Sequence, residues 1–240
     1  MTYCVGLLLD AGLVLLSDTR TNAGLDNIST YRKMFTLEEP GERVIAMMTA
    51  GNLSVTQTTL ARISEAIHDP DATHETSIMK ADSMLDVATI VGDMLSRVTA
   101  ETKARMDRMS QAATASMIVA GQRRGGRMRL FLIYPEGNFI EATEDTPYLQ
   151  VGEHKYGKPI LDRVITADTP LEEARKAVLL SMDSTLRSNL SVGMPLDMVV
   201  IERDALRISE QRRIEANDEE FARMSAAWSQ ALRDAFVQIG

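Results

Sequence analysis

Tyr3-Cys4-Val5-Gly6-Leu7-Leu8-Leu9 runs into Asp10-Ala11-Gly12 and then into Leu13-Val14-Leu15-Leu16-Ser17-Asp18. Two short apolar runs joined by a glycine-containing turn predict a buried β-hairpin that begins at the very N-terminus. Chain ends ordinarily fray, so a terminus committed to a core strand is a strong constraint. It holds Thr2 in one place.

The rest of the chain alternates between blocks of strands and blocks of helices. Residues 19–42 are polar and rich in turn formers, closed by Pro40-Gly41, and read as a connection. Arg43 to Thr49 is the next strand, followed by Ala50-Gly51-Asn52. Asn52 is placed to cap a helix over 53–67, where Leu53, Thr56, Leu60, Ile63 and Ile67 recur near helical spacing. The stretch His68-Asp69-Pro70-Asp71 stops it, and a longer helix is predicted from Ser83 to Met109. The period then changes to two: residues 115–121, 128–134 and 138–143 read as a meander turned at Gly125-Gly126 and Glu136-Gly137. Helices over 156–165 and 171–189 follow, then strands over 196–203 and 206–212. An amphipathic helix over 218–239 ends the chain, with Phe221, Met224, Trp228, Leu232, Phe236 and Ile239 on one stripe. Grouped strands and grouped helices predict an α+β protein with two antiparallel sheets and helices outside, not alternating βαβ units. A single domain over 1–240 is expected.

Composition removes several functions. The single cysteine, Cys4, excludes an intrachain disulfide framework and a cysteine-built zinc site, and reads as a small buried hydrophobe. With 26 Lys+Arg against 34 Asp+Glu, the net charge of -8 disfavours nucleic-acid and anionic-lipid partners. No apolar run approaches the length of a membrane span, and the start lacks the basic segment of a signal peptide, so a cytoplasmic setting is expected. Only His68, His74 and His154 offer imidazoles, and no P-loop, G-x-G-x-x-G, G-x-S-x-G or His-Glu-x-x-His motif occurs. His68 and His74, with Asp69, Asp71 and Glu75, read as a solvated loop; Arg123, Arg124, Arg127 and Arg129 read as a hairpin tip. No metal or cofactor is expected.

Thr2 is different in kind. A small residue after Met1 permits removal of the initiator methionine, which frees the α-amine of threonine. The hydroxyl is a weak nucleophile alone, but its own amine can serve as base, titrating at about 7.7–8.0 when unperturbed. A nearby ammonium would lower that value by like-charge repulsion, and an aspartate at the end of the paired strand could hold the ammonium. Asp18 ends the second strand of the hairpin, and Lys33 follows the connecting segment in Tyr31-Arg32-Lys33-Met34.

Thr2, Asp18, Lys33 and the Gly51 of Thr49-Ala50-Gly51-Asn52 resemble the pattern of proteasome β-subunits and HslV, which are N-terminal nucleophile (Ntn) hydrolases. The wording Met1 to Gly12, with Ser17-Asp18-Thr19-Arg20-Thr21-Asn22-Ala23-Gly24, is similar to the Anbu branch, the bacterial ancestral β-subunit group of proteasome-type proteases. The resemblance extends through Val151-Gly152-Glu153-His154-Lys155-Tyr156-Gly157 and Ser188-Asn189-Leu190-Ser191-Val192-Gly193.

It implies a four-layer αββα sandwich and a self-assembled homo-oligomer, as a ring or a helical lock-washer, acting on peptides or unfolded protein. It also implies roles. Thr2 would attack the peptide carbonyl, and its amine would move the proton. Lys33 paired with Asp18 would tune that amine, the Gly51 N–H would hold the oxyanion, and Ser191 would support the site. Thr21, Arg32, Thr49 and Leu53 would line the pocket for the substrate side chain. Two positions depart from the pattern: Glu153 and Ser188 stand where active relatives carry a serine and an aspartate. Two other readings therefore remain open, an Ntn amidohydrolase acting on small amides and a catalytically weak scaffold.

Overall fold

The computed structural model describes residues 1–22, 28–106 and 113–239. Its elements are β1 (Tyr3–Leu9), β2 (Gly12–Asp18), β3 (Arg20–Asn22), β4 (Ile28–Thr30), β5 (Met34–Glu39) and β6 (Arg43–Gly51). Helices α1 (Leu53–His68) and α2 (Met84–Met106) come next, then β7 (Ala115–Arg123), β8 (Arg129–Ile133), β9 (Phe139–Glu141) and β10 (Tyr148–Gly152). A 3-10 turn at His154–Tyr156 precedes α3 (Lys158–Val164) and α4 (Leu171–Ser188). The chain closes with β11 (Leu196–Glu202), β12 (Glu210–Ile214) and α5 (Glu219–Gln238).

Among the described residues the strands form two five-stranded antiparallel sheets, ordered β10-β1-β2-β11-β12 and β5-β6-β7-β8-β9, and the separate ribbon β3-β4. The side chains sort into three apolar layers. Between the sheets lie Leu13, Leu15, Met48, Ile118 and Leu130. Tyr3, Val5, Leu7, Val14 and Leu16 face the other way, onto Val178 and Met182 of α4. Met47, Met117 and Phe131 of the second sheet pack on Val91 and Leu95 of α2. That is the αββα sandwich. β1 and β2 are covered on both faces, which is why they read as continuous apolar runs and not as alternation. Each such leucine contributes about 1.5–3 kcal/mol on burial, so the N-terminal strand is held by several independent contacts.

The hairpin, the caps and most boundaries agree with the sequence pattern. Asn52 Oδ1 accepts from the Val55 N–H at 3.2 Å as the N-cap of α1. The predicted end of the long helix, 107–109, lies outside the described residues. Two expectations are corrected, and one strand is found where none was expected. Residues 19–42 are not simply a connection: they hold β3, β4 and β5, and β5 pairs with β6 from Met34↔Met48 to Glu39↔Arg43. Its apolar residues are few because it is an edge strand with a polar end. Tyr148–Gly152 forms β10, which leaves the meander that precedes it and pairs with β1 in the other sheet. Finally, the last strand begins at Glu210, not Leu206, because Asp204 and Leu206 take positive φ in the turn that precedes it (62° and 49°).

α5 also divides in two. Asp218 caps it, Phe221 packs against the core and Ser225 is buried. Ser225 Oγ donates to Asp183 Oδ1 at 2.7 Å and accepts from Arg187 at 2.7 Å, which ties α5 to α4. Beyond that clasp the stripe emerges into solvent: Leu232 is 51%, Phe236 82% and Ile239 86% exposed. Among the described residues no helix is long and apolar enough to cross a membrane.

Candidate active site

Thr2 is only 7% exposed, and its backbone is fixed from both sides. The Glu153 N–H donates to the Thr2 carbonyl at 2.7 Å, and the Tyr3 N–H donates to Asp18 Oδ1 at 3.1 Å. The close approach of β10 depends on Gly152, which sits at φ +87° where a Cβ would lie 1.9 Å from the Thr2 oxygen. Just inside, the Tyr3 hydroxyl is paired with Ser181 Oγ at 2.6 Å and accepts from Gln150 Nε2 at 2.5 Å. Thr2 therefore immediately precedes a strand whose first residue, Tyr3, is anchored by ring burial and by hydrogen bonds.

Asp18 and Lys33 meet beside it. Lys33 Nζ lies 2.7 Å from Asp18 Oδ1, 2.6 Å from the Arg20 carbonyl and 3.4 Å from the Met1 carbonyl. Those three acceptors match the three donors of an ammonium. The Lys33 main chain is set by β6, since its carbonyl accepts the Thr49 N–H at 2.9 Å. The second Asp18 oxygen accepts from the Gly193 N–H at 3.3 Å. Burial pushes the Asp18 carboxyl up from its ordinary value, against the pull of Lys33 and the Tyr3 and Gly193 N–H donors. The N-terminal ammonium, carried here by Met1, is held below its ordinary value of 8.0 by burial and then by Lys33, while Asp18 and Glu153 pull the other way.

Gly51 ends β6 at φ +108°, where a Cβ would come within 2.5 Å of the Thr114 carbonyl. Its neighbours Thr49 and Leu53 line a cavity of about 290 Å³ together with Arg32, so three of the four expected pocket residues share one recess. Thr21 does not line it; it lies on β3 opposite Ser29. Ser191 donates its hydroxyl to Asn189 Oδ1, and its N–H bonds the same oxygen at 3.0 Å. It is Gly193, two residues on, that reaches Asp18. Arg20 holds this loop from the other side, donating to the Leu190 carbonyl at 2.8 Å. Neither Gly193 nor the Tyr3 N–H was identifiable beforehand, because a backbone donor leaves no residue-type signature. Burial pushes the Cys4 thiol far above its ordinary value, as suits an inert core residue. Among the described residues no cluster of three or more His, Cys, Asp or Glu could hold a metal ion.

The model of the family described as "Proteasome subunit" matches residues 2–201. No curated protein matches the chain. Among solved structures, the Anbu (Gly-1) mutant from Hyphomicrobium sp. strain MC1 is 49% identical, with a TM-score of 0.92 over 100% of this chain and 98% of that one. Anbu (ancestral beta-subunit) from Yersinia bercovieri is 44% identical, with a TM-score of 0.91 over 98% and 96%. The helical assembly of the Anbu complex from Pseudomonas aeruginosa is 45% identical, with a TM-score of 0.92 over 98% and 96%. Identity at this level along the whole length, on the same fold, leaves one assignment: the chain belongs to the proteasome family, in its Anbu (ancestral β-subunit) branch.

Proposed function

We propose that the chain is a threonine-type peptidase that works after Met1 has been removed. The observation that carries this reading is the buried Lys33–Asp18 pair, with Lys33 Nζ 3.4 Å from the carbonyl of Met1, the residue joined to the Thr2 nitrogen. Removal of Met1 exposes the Thr2 amine within reach of that ammonium, whose positive charge favours the neutral, basic amine. Thr2 Oγ attacks a peptide carbonyl while the amine takes its proton, and the Gly51 N–H stabilises the oxyanion. The amine returns the proton to the leaving nitrogen. Water, activated by the same amine, then hydrolyses the acyl-threonine ester.

The working form is a homo-oligomer in the cytoplasm. The apolar end of α5 supports self-association, since a contiguous stripe at Leu232, Phe236 and Ile239 is unfavourable in water. The related Pseudomonas aeruginosa protein forms a helical assembly. The experiment is intact mass before and after a threonine-directed β-lactone. A stoichiometric adduct on protein lacking Met1, absent in Thr2→Ala, supports the peptidase. Met1 removed with no adduct overturns it in favour of an assembly scaffold, a reading favoured by the engagement of the Ser191 hydroxyl with Asn189 and by Glu153 beside Thr2.

A further inference from the structure

Tyr3 is fully buried, and it is held at both ends. Its N–H donates to Asp18 Oδ1 at 3.1 Å. At the far end of the ring the hydroxyl accepts from Gln150 Nε2 of β10 at 2.5 Å and pairs with Ser181 Oγ of α4 at 2.6 Å. Gly157, between the 3-10 turn and α3, closes over that pair. Its φ of -92° is open to any residue, but a Cβ there would overlap Ser181 Oγ and lie 2.8 Å from the Tyr3 hydroxyl. From Ser181 the hydrogen bonds run on along α4. The Ser181 carbonyl accepts the Thr185 hydroxyl at 3.0 Å, the Thr185 carbonyl accepts the Asn189 N–H at 2.9 Å, and the Asn189 carbonyl accepts the Val192 N–H at 3.2 Å. The next N–H, that of Gly193, donates to the other Asp18 oxygen at 3.3 Å. The circuit begins and ends on the Asp18 carboxylate, and the Tyr3 side chain spans it from the sheet to α4.

We infer that Tyr3 is a positioning residue: its hydroxyl, fixed by Gln150 and Ser181, sets where the Tyr3 N–H meets Asp18, and so how Thr2 and Lys33 face one another. The inference rests on the peptidase reading above. The hydroxyl is sealed in the interior and touches no substrate. Burial pushes it well above its ordinary value, so it stays neutral and trades no proton with the Thr2 amine. Burial alone keeps a ring in its apolar layer but lets it slide and tilt. Two directional bonds from different elements, β10 and α4, stop both motions. Asp18 Oδ1 also takes the Lys33 ammonium at 2.7 Å, so a displaced Tyr3 N–H turns the oxygen that aims that charge. A phenylalanine would fill the same space without the constraint. If the hydroxyl were no more than a satisfied buried group, its loss would lower stability alone. The circuit instead makes the rate at Thr2 fall by more than the loss of stability accounts for.

The test uses the full-length, assembled protein lacking Met1 and a β-lactone, at a temperature well below every Tm. Intact mass gives the maximal labelling rate, the half-saturating concentration and their pH dependence. Tyr3→Phe should lower the maximal rate about tenfold to a hundredfold, the scale on which misplacing a reacting group acts. The half-saturating concentration and the acid limb should stay where they are, because neither a substrate contact nor a charge has been removed. Gln150→Leu, at a half-buried position on β10, should act in the same direction and by less, and it keeps the inference testable if Tyr3→Phe does not fold. Val200→Ala is the control: it lies in the same apolar layer, on β11 opposite Val14 and outside the circuit, and should lower Tm without lowering the maximal rate. Parental rates in both Tyr3→Phe and Gln150→Leu overturn the inference, as does an equal loss of rate in Val200→Ala. A displaced acid limb in Tyr3→Phe also overturns it, because the hydroxyl would then belong to the proton transfer. Labelling of the parent protein with unaffected variants sinks only the positioning role; absence of labelling in the parent sinks the peptidase reading and this inference together.

Discussion

The Lys33 ammonium lies 2.7 Å from Asp18 Oδ1, with 6% and 0% of the two side chains exposed. A pair this deeply buried has lost its hydration, and its cohesion depends on the further partners each ion keeps. Lys33 keeps the Arg20 and Met1 carbonyls; Asp18 keeps the Tyr3 and Gly193 N–H groups. The pair thus ties β2 to the segment before β5, to the first residues of β1 and to the loop after α4.

Removing one partner leaves the other ion alone in the interior. Lys33→Ala should cost about 3–5 kcal/mol of stability, seen as a fall in Tm. Labelling of Thr2 should slow by roughly two orders of magnitude or more, because the amine also loses the charge that favours its basic form. Full-rate labelling in Lys33→Ala would remove Lys33 from the mechanism.

The amine sets the acid limb of activity. Burial and Lys33 hold the Met1 ammonium below 8.0. The Thr2 amine, freed one residue further in and beside the same Lys33, is expected to be lowered in the same sense. A base must be deprotonated to act, so the labelling rate should fall as pH drops through an apparent pKa below that value. Glu153, which favours the protonated form of the Met1 amine, donates its N–H to the Thr2 carbonyl and should act on the freed Thr2 amine in the same sense. Glu153→Gln should therefore move the limb to lower pH, whereas a purely structural Glu153 would alter the rate without moving it. A pH–rate profile of β-lactone labelling for both proteins checks the sign.

Gly152 and Gly125 separate backbone strain from site geometry. Both have positive φ, +87° and +71°, but a Cβ at Gly152 would lie 1.9 Å from the Thr2 oxygen while one at Gly125 meets nothing within 4 Å. Each alanine variant should lose about 1–3 kcal/mol from strain. Only Gly152→Ala should also lose Thr2 labelling, because only there must the first strand shift. Thermal melts and intact mass on the pair provide the comparison.

The outer turns of α5 should govern assembly and not folding. Phe236 is 82% exposed and lies beyond the Ser225 clasp, so Phe236→Asp removes no internal contact of consequence. Sedimentation velocity is expected to show smaller species, with the far-UV spectrum unchanged. An unaltered distribution would move the interface elsewhere.

The hairpin, the three-strand meander, the Asn52 cap and the terminal helix were legible because each is local: period, turn residues and caps lie within a few positions of what they specify. β5 and β10 were not. β10 is chosen by β1, far away in sequence, and an edge strand such as β5 needs so little apolar surface that its pattern matches that of a loop. The pattern therefore does not single out Phe35, although it lines the recess that Arg32, Thr49 and Leu53 share.

For the site, the sequence by itself determined which groups were available. A terminal strand places Thr2 near Asp18, and the joint spacing of Thr2, Asp18, Lys33 and Gly51, within the longer family resemblance, marks the N-terminal amine as the candidate base. Only the tertiary structure decided how those groups are held. It set the Gly193 N–H on Asp18, gave the Ser191 hydroxyl to Asn189 and left Thr21 outside the recess that Arg32, Thr49 and Leu53 share. The physical reason is that residue type fixes charge and nucleophilicity, whereas a backbone N–H is the same at nearly every position and acquires a role only when packing brings it within about 3 Å of its acceptor.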